Sequence, residues 1–429
     1  MSKISKIFIT HMHADHIMGL ITLLRSVLGF PKPEQEVSQD APASPDEPVA
    51  YPLPKVEIYG PRGIRRFLRS ILTVTHSRSA DKYAAHELLI SEEQPSAPVN
   101  GTVQEPLHGS EVPGTDFRPD EEGFWRGVVD ERMGSGNSNC RVLVDAGPII
   151  HRDPCLGFVV REVPSDTTSI TAARTLLILG DTSDPRAIIP LVSKPAVAAS
   201  TLSSSSSTIP DLASSATEVS TSAVAFSTTI PSRMSLVIHE CTDAFIPPHI
   251  DTKGRTGKNR RLETVYAKAL EKGHSIPAMA GAFAKAVGAE KLVLNHVGTR
   301  FPAPPPPHQS HTEWHTYLHA CIEEIERQTL ETFQPPPPPS RSFHAKSVIV
   351  AYDFLTLEIP PYTSHRPAVS RGSQDNNELA QQESDRFKRD HQWEDGSRGG
   401  WRGRGKGRGR GREHSGNDSR GESSKKPRR

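Results

Sequence analysis

The stretch that most constrains what this chain can fold into is residues 9–19, Ile-Thr-His-Met-His-Ala-Asp-His-Ile-Met-Gly. His11, His13, Asp15 and His16 fall within six positions. Residues 6–10 before them are short, apolar and β-branched, the pattern of a buried strand, and residues 20–28 after them read as a helix. The cluster therefore sits where a strand turns into a helix. On an extended segment, positions two apart point the same way, so His11 and His13 can grip one ion. The turn presents Asp15 and His16 to a second point. Imidazole together with carboxylate suits zinc or a similar divalent ion, and two ions roughly 3.5–4 Å apart are a common hydrolytic arrangement.

Composition limits how much of the chain can fold. At 429 residues the length alone suits two domains. Hydrophobic residues are only 35%, with 38 prolines, against roughly 45–50% apolar (glycine included) in soluble domains. The expectation is one globular domain over 1–360, interrupted by disordered insertions at about 31–54, 92–139 and 196–232, then a disordered basic tail over 361–429. No apolar run reaches the roughly 18 residues of a membrane span, and the first residues lack the long apolar segment of a signal peptide. Cys140, Cys155, Cys241 and Cys321 are scattered and form no CxxC pair. That excludes a cysteine-based zinc ribbon and fits a reducing compartment: nucleus or cytoplasm, with the mitochondrion left open.

Further ligand types sit at element ends. Residues 55–60 read as a strand, and 61–72 place Ile64, Phe67, Leu68, Ile71 and Leu72 at helical spacing. His151 ends an apolar stretch and precedes a strand beginning at Gly157-Phe158. An apolar strand over 174–180 ends in Gly180-Asp181, which puts a carboxylate at its C-terminal edge, where two oxygens can bridge two cations. The alternative is an N-cap, a job that Ser183 or Asp184 can do. Residues 235–239 read as a strand leading into His239-Glu240-Cys241-Thr242. A helix over 261–272 then reaches Gly273-His274-Ser275, a second helix covers 277–287, and a strand over 291–295 ends at His296, with Arg300 just beyond. Proline-rich runs at 302–307 and 335–339 flank a helix over 312–333, and 347–359 read as one or two closing strands.

The opening cluster resembles the first metal motif of the metallo-β-lactamase superfamily. The order that follows, His151 before Gly-Phe, Gly-Asp-Thr, His-Glu-x-Thr, Gly-His-Ser, His296 and Arg300, is similar to the RNase Z branch, the tRNA 3′-end endonucleases. So is Val-Ala-x-Asp-Phe at 350–354. The resemblance covers about 3–30, 55–72, 147–190, 235–301 and 347–359. It implies an α/β fold, the four-layer αββα sandwich with metals at one edge. Only ten residues precede His11, so the sandwich is expected to lack its first strands or to take them from another chain.

The resemblance also implies roles. His11, His13 and His151 would hold one Zn2+, Asp15, His16 and His296 a second (another divalent ion being the alternative), and Asp181 would bridge. The metals would activate a water, and Asp15 could take its proton. Arg300 would offset phosphate charge, His274 would protonate the leaving 3′ oxygen, and Glu240 would hold His274. His239 reads as structure, while Asp145, His76, His86 and His108 are left unassigned. The implied partner is precursor tRNA, with no membrane and a homodimer left open. Two departures stand out. Gly298 replaces the family's serine, and the 30 positions from His151 to Asp181 leave almost no room for the protruding tRNA-gripping arm of short forms; the second halves of long forms also lack that arm. Two other readings are another hydrolase of the same fold acting on small substrates (a phosphodiesterase or arylsulfatase-like enzyme) and an inactive RNA-binding fragment. The tail alternates Arg and Lys with Gly over 399–412 and ends Lys-Lys-Pro-Arg-Arg. Flexible, phosphate-matching cations fit RNA contact, and the last five residues also fit a nuclear import signal.

Overall fold

The computed structural model describes residues 3–31, 51–133, 140–164, 171–193, 234–305, 312–335, 346–360 and 362–363. The first sheet is wholly parallel. It holds β1 (Lys6–Phe8), β2 (Val56–Pro61), β3 (Tyr83–Leu88) and β4 (Glu111–Val112) in that order, and β5 (Asp116–Phe117) also pairs with β3. Two helices cover it, α1 (Ala14–Leu28) and α2 (Ile64–Val74). The second sheet begins with the antiparallel strands β6 (Trp125–Met133), β7 (Cys140–Ile149) and β8 (Cys155–Pro164). A short β9 (Thr171–Ala172) pairs away from both sheets with β14 (Tyr362–Thr363). β10 (Thr175–Leu179) runs antiparallel to β8, and β11 (Met234–Glu240), β12 (Leu292–Asn295) and β13 (Val348–Val350) continue in parallel. The helices of this half are α3 (Ile189–Ser193), α4 (Leu262–Glu271), α5 (Pro277–Ala286) and α6 (Glu313–Phe333).

Three apolar layers define a four-layer αββα sandwich. Ile17, Leu20, Leu24 and Leu28 of α1 and Leu68 of α2 pack on Val56 and Ile58 of β2. Tyr59, one position on, faces the other way and meets Trp125, Val144 and Phe158 between the sheets, as strand alternation requires. On the far side, Leu177 and Leu179 of β10 with Val237 and Leu292 pack under Phe283 of α5 and Ile325 of α6.

The structure differs from the sequence reading at two places that bear on the site. Helix α1 starts at Ala14, so Asp15 and His16 stand on its first helical turn rather than on a turn ahead of it. Within 92–139, read above as a disordered insertion, residues 92–133 carry β4, β5 and all of β6. Their charges point inward. Glu111 takes two bonds from buried Arg69, at 2.9 and 2.8 Å, and Asp116 takes 2.7 Å from buried Arg65. Glu87, fully buried, accepts from the backbone N–H groups of Gly63 and Ser96 at 2.8 and 2.7 Å, which ties α2 to the same region. The insertion at 196–232, residues 32–50 and the basic tail beyond 363 lie outside the described residues.

Candidate metal centre

Several element ends converge on one edge of the sandwich. The parallel strands β10, β11 and β12 end together, carrying Asp181, Glu240 and His296 at or just past their C-termini. The β7–β8 turn delivers His151 to the same edge. The opening motif is joined there by backbone: Leu156 N–H donates to Thr10 C=O at 2.9 Å, and Gly180 N–H to Leu156 C=O at 3.2 Å. Gly180 is needed for this approach, because a Cβ there would lie 2.5 Å from Cys155 Sγ and 2.6 Å from Thr10 Cβ.

The ligand atoms of His11, His13, His151 and Asp181 lie within 4.8 Å of one another. Asp15, His16 and His296 form a second such group, and Asp181, His274 and His296 a third. Asp181 Oδ2 stands 3.8 Å from His11 Nε2 and 3.5 Å from His16 Nε2, while its Oδ1 stands 3.4 Å from His296 Nδ1. The Asp181 carboxylate thus touches both sets.

These residues fit a cation. Buried polar atoms are normally satisfied, yet His11 Nε2, His16 Nε2, His151 Nε2 and His274 Nδ1 are buried without a hydrogen-bond partner. Their other nitrogens fix the tautomers where partners exist. His151 Nδ1 donates to Gly273 C=O at 2.7 Å, which leaves Nε2 as a lone pair toward the cluster. Gly273 sits at φ +74°, and a Cβ there would lie 2.7 Å from that ring nitrogen, so the glycine of Gly-His-Ser is sterically required. Thr242 Oγ1 donates to Glu240 Oε2 and therefore accepts from His296 Nδ1, both at 2.9 Å. In the neutral ring His296 Nε2 is then an acceptor, facing the Asp15 carboxylate at 3.2 Å. Two acceptors held face to face call for a cation between them. His296 also has φ +50°, a left-handed backbone at a strand end.

The electrostatics favour ligating forms at His11, His151 and Asp181, while at His16 burial is outweighed by the Asp181 and Asp15 carboxylates, which raise its pKa. Burial, with His16 nearby, lowers the His11 pKa to about 3, so its ring is neutral near pH 7. Burial also lowers His151. Burial opposes ionisation of Asp181, but the His16, His296 and His11 imidazoles facing it outweigh burial and hold the carboxyl down to about 2. The donor set is that of a divalent-metal site.

Glu240, 1% exposed, accepts from Ser275 N–H at 2.6 Å, Thr182 N–H at 3.3 Å and Thr242 N–H at 2.9 Å. Its Oε1 lies 3.5 Å from His274 Nδ1, beyond ordinary hydrogen-bond length. It thus positions the Gly-His-Ser backbone through Ser275 and faces the ring of His274 without a bond to it. Arg300 is exposed, with no ion pair among the described residues, and its side chain makes no hydrogen bond or ion pair to the cluster. His239 is buried, its Nδ1 donating to Glu240 C=O at 2.7 Å, a structural setting. Of the unassigned residues, Asp145 pairs with buried Arg161, and His86 stacks on Tyr59.

Three residues were not singled out from the sequence. Thr182 and Thr242 lie inside the motifs, where the conspicuous Asp181 and Glu240 mask them. Asp153, 2.7 Å from His13 Nε2, had no signal, because it sits on a turn and is exposed. Gly298 does have a reason: its N–H donates to Thr242 C=O at 3.0 Å, and a Cβ there would lie 2.5 Å from that oxygen.

No protein-family model matches the chain. The bovine (Bos taurus) protein named zinc phosphodiesterase ELAC protein 1 is 28% identical over 311 residues, 70% of this chain and 73% of the relative. The ribonuclease Z of Streptococcus gordonii is 40% identical over 85 residues, 20% of this chain and 22% of the relative. The chain is similar to proteins that carry the names zinc phosphodiesterase and ribonuclease Z. Among solved structures, human short-form tRNase Z (ELAC1) aligns at a TM-score of 0.41 and 22% identity, over 84% of this chain and 80% of that one. No helix among the described residues is long and apolar enough to cross a membrane.

Proposed function

We propose that this chain is an RNase Z-type, zinc-dependent endoribonuclease that removes the 3′ trailer from precursor tRNA. The observation that carries this reading is the Asp181 carboxylate, which stands against two sets of imidazole and carboxylate ligands with His274 and Glu240 beside them. The names of the relatives, a zinc phosphodiesterase and a ribonuclease Z, support the reaction class.

In this reading His11, His13 and His151 would hold one zinc, Asp15, His16 and His296 would hold a second, and Asp181 would serve both. Two zinc ions would make hydroxide available near neutral pH and offset charge on the phosphate. Asp15, on the exposed rim, accepts a proton from the attacking water. His274, 8% exposed, is shielded from bulk water and donates a proton to the departing 3′ oxygen. Glu240 positions the His274 segment through Ser275 N–H. Arg300, without an acidic partner among the described residues, is assigned to the substrate phosphate. The test is cleavage of a precursor tRNA by the purified chain, with the cut mapped at the 3′ end of the acceptor stem. A chain that holds zinc and hydrolyses only small diesters would overturn the substrate assignment.

A further inference from the structure

Residues 245–261 join β11 to α4 and carry Lys253, Arg255, Lys258, Arg260 and Arg261. Asp251, 8% exposed, shapes this loop by accepting from Arg255 N–H at 2.7 Å, Thr256 N–H at 2.8 Å and Thr256 Oγ1 at 2.6 Å. Gly254 and Gly257 supply the positive φ values, +61° and +132°, that the folded loop needs.

The loop presents a stack. The Arg255 guanidinium lies 5.1 Å from the ring centre of Trp314 and 4.8 Å from that of Tyr317. The two rings are themselves 5.4 Å apart and 28° from parallel. Trp314 is 43% exposed, on the first turn of α6. Beside the stack is a cavity of about 330 Å³ lined by His249, Lys253, Arg255, Glu313 and Tyr317, at the lower end of the roughly 300–1,000 Å³ of small-ligand sites.

The charges divide into two kinds. Lys253 and Arg255 share Glu313, and Arg260 is tied to Asp243 Oδ1 at 2.5 Å and Ala244 C=O at 2.9 Å. The Arg260 contact anchors the loop to the segment just past Glu240 and Thr242, at the edge of the metal centre. Lys258 and Arg261 have no acidic partner among the described residues. A half-exposed aromatic face backed by a guanidinium, with unpaired cations on the same ordered loop, matches a base and its phosphates.

We propose that the 251–261 loop and Trp314 form an RNA-docking surface. A nucleobase of the precursor stacks on Trp314, and its phosphates meet Lys258 and Arg261. The inference rests on the RNA-processing reading above and adds a place where the substrate is held.

The test uses the full chain, a precursor tRNA, a single-stranded RNA of trailer sequence and a small activated phosphodiester. Trp314→Ala should weaken binding of both RNAs about 5- to 100-fold, the range for one lost base stack, and Trp314→Phe should restore most of it. The double variant Lys258→Ala/Arg261→Ala should flatten the log–log salt dependence of single-strand binding by about 1.4, two cations at roughly 0.7 each. Hydrolysis of the small diester and the melting temperature should not move. RNA affinity unchanged in both variants would overturn the surface, as would an equal loss on the small diester. Weaker binding to polyglutamate with RNA binding intact would also overturn it, in favour of an acidic protein partner. A wild-type chain that binds but never cuts precursor tRNA would overturn the functional reading alone, since the variants' RNA affinities still decide the surface.

Discussion

One half of the sandwich, β1–β5 with α1 and α2, brings its ligands to the site in a single local stretch, His11 to His16. The other half, the second sheet with α3–α6, brings His151, Asp181, Glu240, His274 and His296 from strand ends and turns far apart in sequence. The means of support differ as well. The first half carries buried charge between its helices and sheet: Arg65 with Glu87 and Asp116, and Arg69 with Glu111. The second rests on a larger apolar layer of Leu177, Leu179, Leu292, Phe283 and Phe333. A local motif needs only a strand and a helix start to hold its geometry. Dispersed ligands need strands in register, and close packing supplies that.

The division of labour gives the largest expected effect. In the proposed reading the first half supplies ligands and the proton acceptor Asp15, whereas the second supplies ligands and the proton donor His274. His274→Ala should keep its metal and slow cleavage by about 10²–10⁴-fold, the usual cost of a lost general acid, whereas His13→Ala should lose metal along with activity. Metal analysis with single-turnover rates checks both. Metal loss in His274→Ala would make that ring a ligand and blur the comparison.

The next effect sharpens the difference in support. Arg65→Ala leaves Glu87 and Asp116 buried or half-buried without their cation, which should cost about 3–5 kcal/mol. Leu177→Ala opens a cavity in the apolar layer and should cost about 2–5 kcal/mol. Denaturant midpoints in the full chain measure both. The contrast lies in the rescue: Leu177→Met should recover most stability, while Arg65→Lys should not, since one ammonium cannot match the forked contacts to Ala85 C=O, Ala97 C=O and Asp116.

The smallest effect is an acid one, again confined to the first half. The hydrogen bond with His86 lowers Glu57, burial opposes, and the bond from Lys6 Nζ at 2.6 Å adds to the lowering, which brings the carboxyl to about 2 from its ordinary 4.5. The folded-state value is depressed, so the contribution is complete above about pH 4.5 and is lost as the pH falls from there toward 2. After solvent screening it amounts to about 1 kcal/mol. The stability gap between wild type and Glu57→Gln should therefore be full at pH 6 and narrow by pH 3. A gap independent of pH would show that the carboxylate is not the source.

Much of this arrangement was legible in the sequence. The His11–His16 cluster announces itself because its ligands share one strand-to-helix transition. Gly-Asp, His-Glu-x-Thr and Gly-His-Ser are legible because each sits at the end of a periodic run, and the glycines 180 and 273 now have steric reasons. The polar stretch 92–133 was misread because polarity in a sequence looks like solvation, while Glu111 and Asp116 turn inward to arginines of a helix about 40 to 50 positions away. The start of α1 was placed late because His13, its N-cap, makes no side-chain capping bond that the usual residue types would advertise. Asp153 and the Arg255–Trp314 stack are tertiary pairings with no periodicity to betray them.

The central claim is that the two halves form one metal site with Asp181 at its centre. The most direct test is the zinc content of the purified full chain, wild type against Asp181→Ala, by elemental analysis after exhaustive buffer exchange. The account requires about two zinc ions per wild-type chain and the loss of most of that metal, together with all hydrolysis, in the variant. Undiminished zinc in Asp181→Ala would contradict it.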